Sequence, residues 1–202
     1  MTTLGGERLA GRAAADESML TASLREPDRF AGLFDRYHPD IRRYAAGRLG
    51  GGRADDVAAD VFLVAFRSRH RFAAAGPGGN VRAWLYGIAT NLIRRHHRDE
   101  ERRYRALARA GPGDVMHAGE DAVTARVAAA ANRAALGRAL SRLPAGERDA
   151  LLLVAVGQLD YVEVAAALGI PVGTVGSRLT RARKTIRAAL GGTDPTRIDE
   201  GS

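Results

Sequence analysis

Apolar residues in this chain step by three and four over long stretches and almost nowhere alternate with polar ones, which favours helices and leaves little material for strands. Phe30, Leu33, Phe34, Tyr37, Ile41 and Tyr44 follow that step and define one face of a helix. Gly50, Gly51 and Gly52 stop it. Asp55 or Asp56 is placed to cap the next helix, whose face is Val57, Val61, Val64, Ala65 and Phe66. Residues 72–80 are small and rich in Gly and Pro, so they read as a loop. A third amphipathic helix turns Trp84, Leu85, Ile88, Leu92 and Ile93 inward and ends in Arg94, Arg95, His96, His97 and Arg98.

The periodicity then lapses and returns, which predicts an all-α fold of two small helical domains. The first domain spans 22–104. A linker rich in Ala and Gly spans 105–126, and the expectation is that it is flexible. The second domain spans 127–190, with Leu136, Leu140 and Leu143 on one face, Pro144 between helices, and Ala150, Leu151, Val154 and Ala155 on the next face. Residues 1–21 read as a disordered extension and 191–202 as a polar tail.

Charge narrows the function. With 31 Lys and Arg against 23 Asp and Glu the formal net charge is +8, the balance of a protein that meets a polyanion. Arginine takes nearly every cationic position, Lys184 being the one lysine; that bias explains the choice of cation but not the excess. No cysteine is present, which excludes disulfides and thiolate metal sites within these residues. No apolar run reaches the length of a membrane span, and the first fifteen residues lack the apolar core of a signal peptide; the expectation is a cytoplasmic protein without membrane insertion.

The sharpest local signal lies between Asp160 and Arg187. Asp160 can cap a helix carrying Val162, Val164, Ala165 and Leu168, and Gly169 suits the left-handed position that closes it. Residues 170–174 make a turn, and Thr174 can cap a second helix with Val175, Leu179, Ala182 and Ile186 on its inner face. The outer positions hold Arg178, Arg181, Arg183, Lys184 and Arg187 and no acid. Two short helices at a Gly-containing turn form a helix-turn-helix whose second member fits the major groove. A solvated basic surface helix is the plainer alternative; the tight turn and the acid-free face together favour DNA.

These residues carry a family likeness. Leu143-Pro144, Arg148, Tyr161-Val162-Glu163-Val164-Ala165, Gly173-Thr174-Val175, Ser177-Arg178-Leu179 and Arg181-Ala182-Arg183 resemble domain four of the extracytoplasmic-function (ECF) sigma factors of bacterial RNA polymerase, in the sigma-70 family. Ala54-Asp55-Asp56-Val57, Asp60-Val61-Phe62, Ala83-Trp84-Leu85-Tyr86, Ile88-Ala89 and Asn91 resemble their domain two. The two matches stand in the family's order and cover most of residues 25–190. The resemblance implies a sigma factor that binds core RNA polymerase, through its beta and beta-prime subunits, and directs it to promoter DNA. Asp55, Asp56 and Asp60 would face the polymerase clamp. Phe72, Asn80, Asn91, Arg94, Arg95 and Arg98 would handle the melted −10 strand, and Thr174, Ser177, Arg178, Arg181 and Lys184 would read the duplex −35 element. An anti-sigma protein is a further partner the family often has. Three positions depart from its pattern: Gly176 stands where a basic recognition residue is usual, Ala59 replaces a frequent glutamine, and Gly87 replaces a common arginine or lysine.

Competing readings account for less. A helix-turn-helix regulator that works without polymerase explains the C-terminal half and leaves the first domain without a role. A nuclease would need a catalytic cluster, and Asp55, Asp56 and Asp60 lack further ligands around them. Adjacent His96 and His97 point in different directions on a helix and make a poor metal pair. Trp84 shares a face with Ile88 and Leu92 and reads as core. No catalytic residue, metal or cofactor is therefore expected.

Overall fold

The structure, a computed structural model, describes residues 3–74, 80–109 and 120–190. Among the described residues there are helices and no strand: α1 (Thr3–Ala22), a 3-10 turn (Pro27–Phe30), α2 (Ala31–Leu49), α3 (Gly51–Ala74), α4 (Val81–Arg95), α5 (His97–Arg109), α6 (Glu120–Arg142), α7 (Ala145–Ala155), α8 (Tyr161–Leu168) and α9 (Val172–Ala189). The all-α expectation holds.

α2 buries Leu33, Tyr37, Ile41 and Tyr44, as their spacing requires. Phe34, expected on the same face, is instead 40% exposed, its ring edge-on to Phe62 and stacked on His38. Gly50, with φ 89°, ends the helix in a conformation that side chains disfavour. Gly51 and Gly52 already belong to α3, so Asp55 and Asp56 lie within that helix and neither caps it. Val57, Val61, Phe62 and Ala65 face inward, whereas Val64 is 39% exposed.

N-terminal to these, the stretch read as a disordered extension holds α1. Leu20 and Asp16 are buried, and Asp16 accepts hydrogen bonds from Arg36 and from the Tyr37 hydroxyl. Burial and this carboxylate push the Tyr37 hydroxyl up to about 12. A run rich in Ala is a strong helix former once one face has somewhere to pack.

α4 is covered on two sides. Val81, Leu85, Ala89 and Ile93 are buried, and so are Tyr86, Gly87 and Thr90, which the simple amphipathic pattern left out. Trp84, Ile88 and Leu92, expected inward, are only partly buried at the edge of the core. The second cover is α8, which packs across α4. The chain turns at His96 and continues as α5, five residues past the boundary expected at 104; α5 packs along α6, and Tyr104, Leu140 and Leu143 join the same apolar cluster as the first half. The centre of the expected linker, 110–119, and the tail, 191–202, lie outside the described residues.

α7 buries Leu151, Leu152 and Leu153 but exposes Ala155. α8 buries Val164 and Ala165 and leaves Val162 67% exposed. Pro144 stands at the N-cap of α7, with Ala145 its first helical residue.

Candidate nucleic-acid interface

α8 and α9 meet at a bend of 102°, inside the 90–120° range of a helix-turn-helix. The sequence builds the corner locally. Asp160 Oδ1 accepts the Glu163 backbone N–H at 2.8 Å, and Glu163 Oε2 accepts that of Asp160 at 3.0 Å, a reciprocal cap for the start of α8. Gly169 closes the helix at φ 63°, ψ 40°. α9 opens three residues earlier than expected, with Pro171 at its N-cap and Val172 first in the helix. Proline's φ of −60° and an extended ψ of 145° already set the entry geometry. Thr174 is thus inside the first turn, its N–H bonded to the Pro171 carbonyl at 2.9 Å, and it does not cap α9.

Val175, Leu179, Ala182 and Ile186 seat α9 on the core. Ser177, Arg181 and Lys184 are exposed; Arg178 and Thr174 are half-buried. The Arg178 guanidinium lies over Gly146, where an added Cβ would come within 2.9 Å of it. Arg181 Nε donates to Glu147 at 2.7 Å, so an α7 carboxylate holds one of the expected base readers. Arg183 donates to the Tyr161 hydroxyl at 3.2 Å, a tether the sequence reading did not single out. Gly176 faces open space on its outer side.

The residues expected at the −10 strand are spread over α3, α4 and α5. Phe72 belongs to the end of α3 rather than to a loop, its ring 4.8 Å from that of Trp84; residues 75–79 lie outside the described residues. Asn80 is the N-cap of α4: its Oδ1 accepts the Ala83 N–H at 2.8 Å while its Nδ2 donates to Glu163 at 3.1 Å. Asn91, Arg95 and Arg98 are exposed. Arg94 donates to Asp149 of α7 at 2.9 Å. On α3, Asp56 and Asp60 are exposed, and Asp55 accepts Arg42 Nε at 2.5 Å, a hydrogen bond that holds its carboxyl below the usual carboxylate range.

Sequence reasoning missed the residues through which the two halves touch. Arg82 Nη1 donates to Glu163 at 2.8 Å, and its Nη2 donates to the Gly157 and Gln158 carbonyls at 2.8 and 2.9 Å. Arg48 is buried, with Nε 2.6 Å from Glu100 Oε1 and Nη2 2.7 Å from Asp149 Oδ1; the second contact is an ion pair off the line of a hydrogen bond. Contacts across such separations leave no periodic trace in the sequence.

Comparison with known proteins decides what this arrangement belongs to. Residues 33–103 match the family description "Sigma-70 region 2" and residues 133–186 match "Sigma-70, region 4". An ECF RNA polymerase sigma factor, EcfG of Rhodopseudomonas palustris, is 32% identical over 179 residues, covering 85% of this chain and 87% of that one. The chain belongs to the ECF sigma factors. SigL of Mycobacterium tuberculosis is 29% identical and covers 91% of this chain and 95% of its own. Among solved structures, CnrH in complex with the cytosolic domain of CnrY is similar in fold, with a TM-score of 0.61 at 23% identity over 88% of this chain and 97% of that one. RpoE in complex with the anti-sigma factor NepR from Bartonella quintana gives 0.54 at 23% identity, over 81% and 98%. This sigma factor directs RNA polymerase to promoters, and the polymerase-independent regulator is not favoured. Among its described residues, no single helix is long and apolar enough to cross a membrane.

Proposed function

We propose a division of labour between the two regions. Region 4 reads duplex −35 DNA with α9, the single feature that carries the reading: five cations and no acid on a helix that projects at 102° from its partner. Ser177, Arg178 and Arg181 face the bases, because a groove-filling helix places its N-terminal half against base edges and arginine pairs with guanine there. Thr174 and Lys184 contact the backbone. Region 2 handles the melted −10 strand through Phe72, Asn80, Asn91, Arg94, Arg95 and Arg98: single strands expose base faces for stacking and phosphates for cations. Asp55, Asp56 and Asp60, on one exposed side of α3, dock on the core polymerase at its beta and beta-prime subunits. The protein works in the cytoplasm as a non-catalytic subunit, without cofactor. The CnrH and RpoE structures are complexes of those proteins with CnrY and with the anti-sigma factor NepR, which supports an anti-sigma partner here as well.

Run-off transcription with purified core polymerase tests this. The chain with core should initiate at discrete promoters, and reversing charge at Asp56 and Asp60 together should weaken core binding while duplex −35 binding stays intact. Unchanged core affinity in that double variant would remove the polymerase-docking role from α3.

A further inference from the structure

Of the three side chains read above as facing the bases, Arg181 alone meets a carboxylate among the described residues. Local rules place that carboxylate. Pro144 sets the start of α7, and Glu147 falls in its first turn, where the partial positive charge of a helix start favours an acid. α7 packs against α9, and the Glu147 side chain is left 14% exposed, so it has little freedom to follow a ligand. Arg181 Nε donates to Glu147 Oε1 at 2.7 Å. Among the described residues, Nη1 and Nη2 of Arg181 have no partner. A guanidinium carries a single N–H on Nε. Spending it on Glu147 removes the Nε edge and leaves the Nη1–Nη2 edge as the one that can make two parallel bonds.

We propose that Glu147 is a positioning residue that sets −35 specificity: it takes the Nε donor of Arg181 and so commits the free Nη1–Nη2 edge to the paired O6 and N7 acceptors of one guanine. The inference rests on the reading above that Arg181 faces a base. The tether separates bases from backbone. A guanine meets the free edge and leaves the bond to Glu147 in place. A phosphate approaching from the side must draw the guanidinium off the carboxylate and set its own charge beside an uncovered Glu147, which repels it. The exposed pair is weak enough to break, so the duplex makes the choice rather than the fold. Glu147 thus lowers affinity for DNA in general and raises the ratio of specific to non-specific binding, the quantity that selects one promoter among many competing sites.

Anisotropy titrations of the full chain test this on the −35 duplex that it selects from a randomised pool, on duplexes with each base pair replaced in turn, and on a duplex without the element. The parent should prefer guanine at one pair by about tenfold, and Arg181→Ala should lose that preference. Glu147→Ala should cut it by about twofold or more, the least coupling that residues in contact show. The same variant should bind the element-free duplex about twofold more tightly at low salt, the effect of one charge acting across about 10 Å of water. A merely structural role cannot give opposite signs on the two duplexes, since a disturbed α7 weakens both. Glu147→Gln keeps an acceptor for Nε and should retain most of the preference. Adding Glu147→Ala to Arg181→Ala should tighten binding to every duplex and change no base preference. Parent-like preference in Glu147→Ala, an equal loss in Glu147→Gln, or uniform weakening on every duplex would overturn the inference. An Arg181→Ala variant that keeps every base preference would instead remove Arg181 from base reading, the assignment on which the role of Glu147 stands.

Discussion

Arg181 shows how a single residue can be legible in kind and not in setting. Its place three residues after Arg178 on an acid-free helix marks both as groove-facing. That Glu147 holds it at 2.7 Å, 34 residues away, has no local signature. Because the two are exposed and 14% exposed respectively, the pair adds little stability, and water and DNA can compete for it. Replacing Arg181 by Ala should therefore leave folding unchanged and weaken −35 binding by about 1–3 kcal/mol, with relaxed preference at one base pair. Anisotropy titrations against single-substitution duplexes would show this; uniform weakening on all duplexes with a shallower salt dependence would assign Arg181 to phosphate instead. Thr174 was misread at the same scale because Ser and Thr are strong N-cap signals. Pro171 had already fixed the entry angle three residues earlier.

At the level of elements, helix existence followed from periodicity except at α1, and burial was misread on α4, which more than one neighbour covers, and at Phe34, Val64 and Ala155, which are exposed. α4 reads as a helix with one inward face, yet Tyr86, Gly87 and Thr90 are buried as well: Tyr86 and Thr90 meet Tyr44 of α2, and Gly87 lies against Ala167 of α8. Gly87 thus looked like a departure from the family pattern when its surroundings give it a steric reason. α1 was read as disorder for the converse reason: Ala- and Gly-rich composition hides the few residues, Asp16 and Leu20, that anchor it. α8 was read correctly from end to end, since capping chemistry is local. Its eight residues are too few to be stable alone, so the reciprocal Asp160–Glu163 cap matters. Asp160→Ala should lower stability by about 1 kcal/mol, seen as a lower urea midpoint with unchanged slope. A loss under about 0.3 kcal/mol would mean that the Glu163 contacts to Arg82 and Asn80 already order the first turn without it.

For the whole molecule, the identity and order of the two regions were legible and their closure was not, since closure depends on charges that the chain brings together from α2, α5 and α7. Arg48, Glu100 and Asp149 are all nearly inaccessible to water. Burial opposes the charge on Arg48, but Tyr44, Asp149 and Glu100 around it outweigh that and hold its proton well above the ordinary range. The Tyr44 and Thr90 hydroxyls share a hydrogen bond of 3.0 Å, Tyr44 also accepts Arg48 Nη1 at 2.9 Å, and Tyr104 donates to Glu100 at 3.1 Å. A buried pair of this kind contributes little net stability compared with apolar residues of the same volume, but removing one partner strands the other charge. Asp149→Ala leaves Arg48 with one carboxylate, opens a hole in α7 and releases Arg94, so it should destabilise the full chain by about 3–5 kcal/mol in urea unfolding. Arg48→Met combined with Asp149→Leu removes both charges but leaves buried Glu100 facing a methionine, and should therefore fall between the parent and Asp149→Ala; adding Glu100→Gln should recover most of the remainder. Because Arg48 sits in region 2 and Asp149 in region 4, the loss in Asp149→Ala should also split one unfolding transition into two, region 4 melting first. A single unsplit transition with a loss below about 1 kcal/mol would mean that the two regions do not share this cluster in solution, and that the closure seen here is held by Glu163 and Gly87 alone.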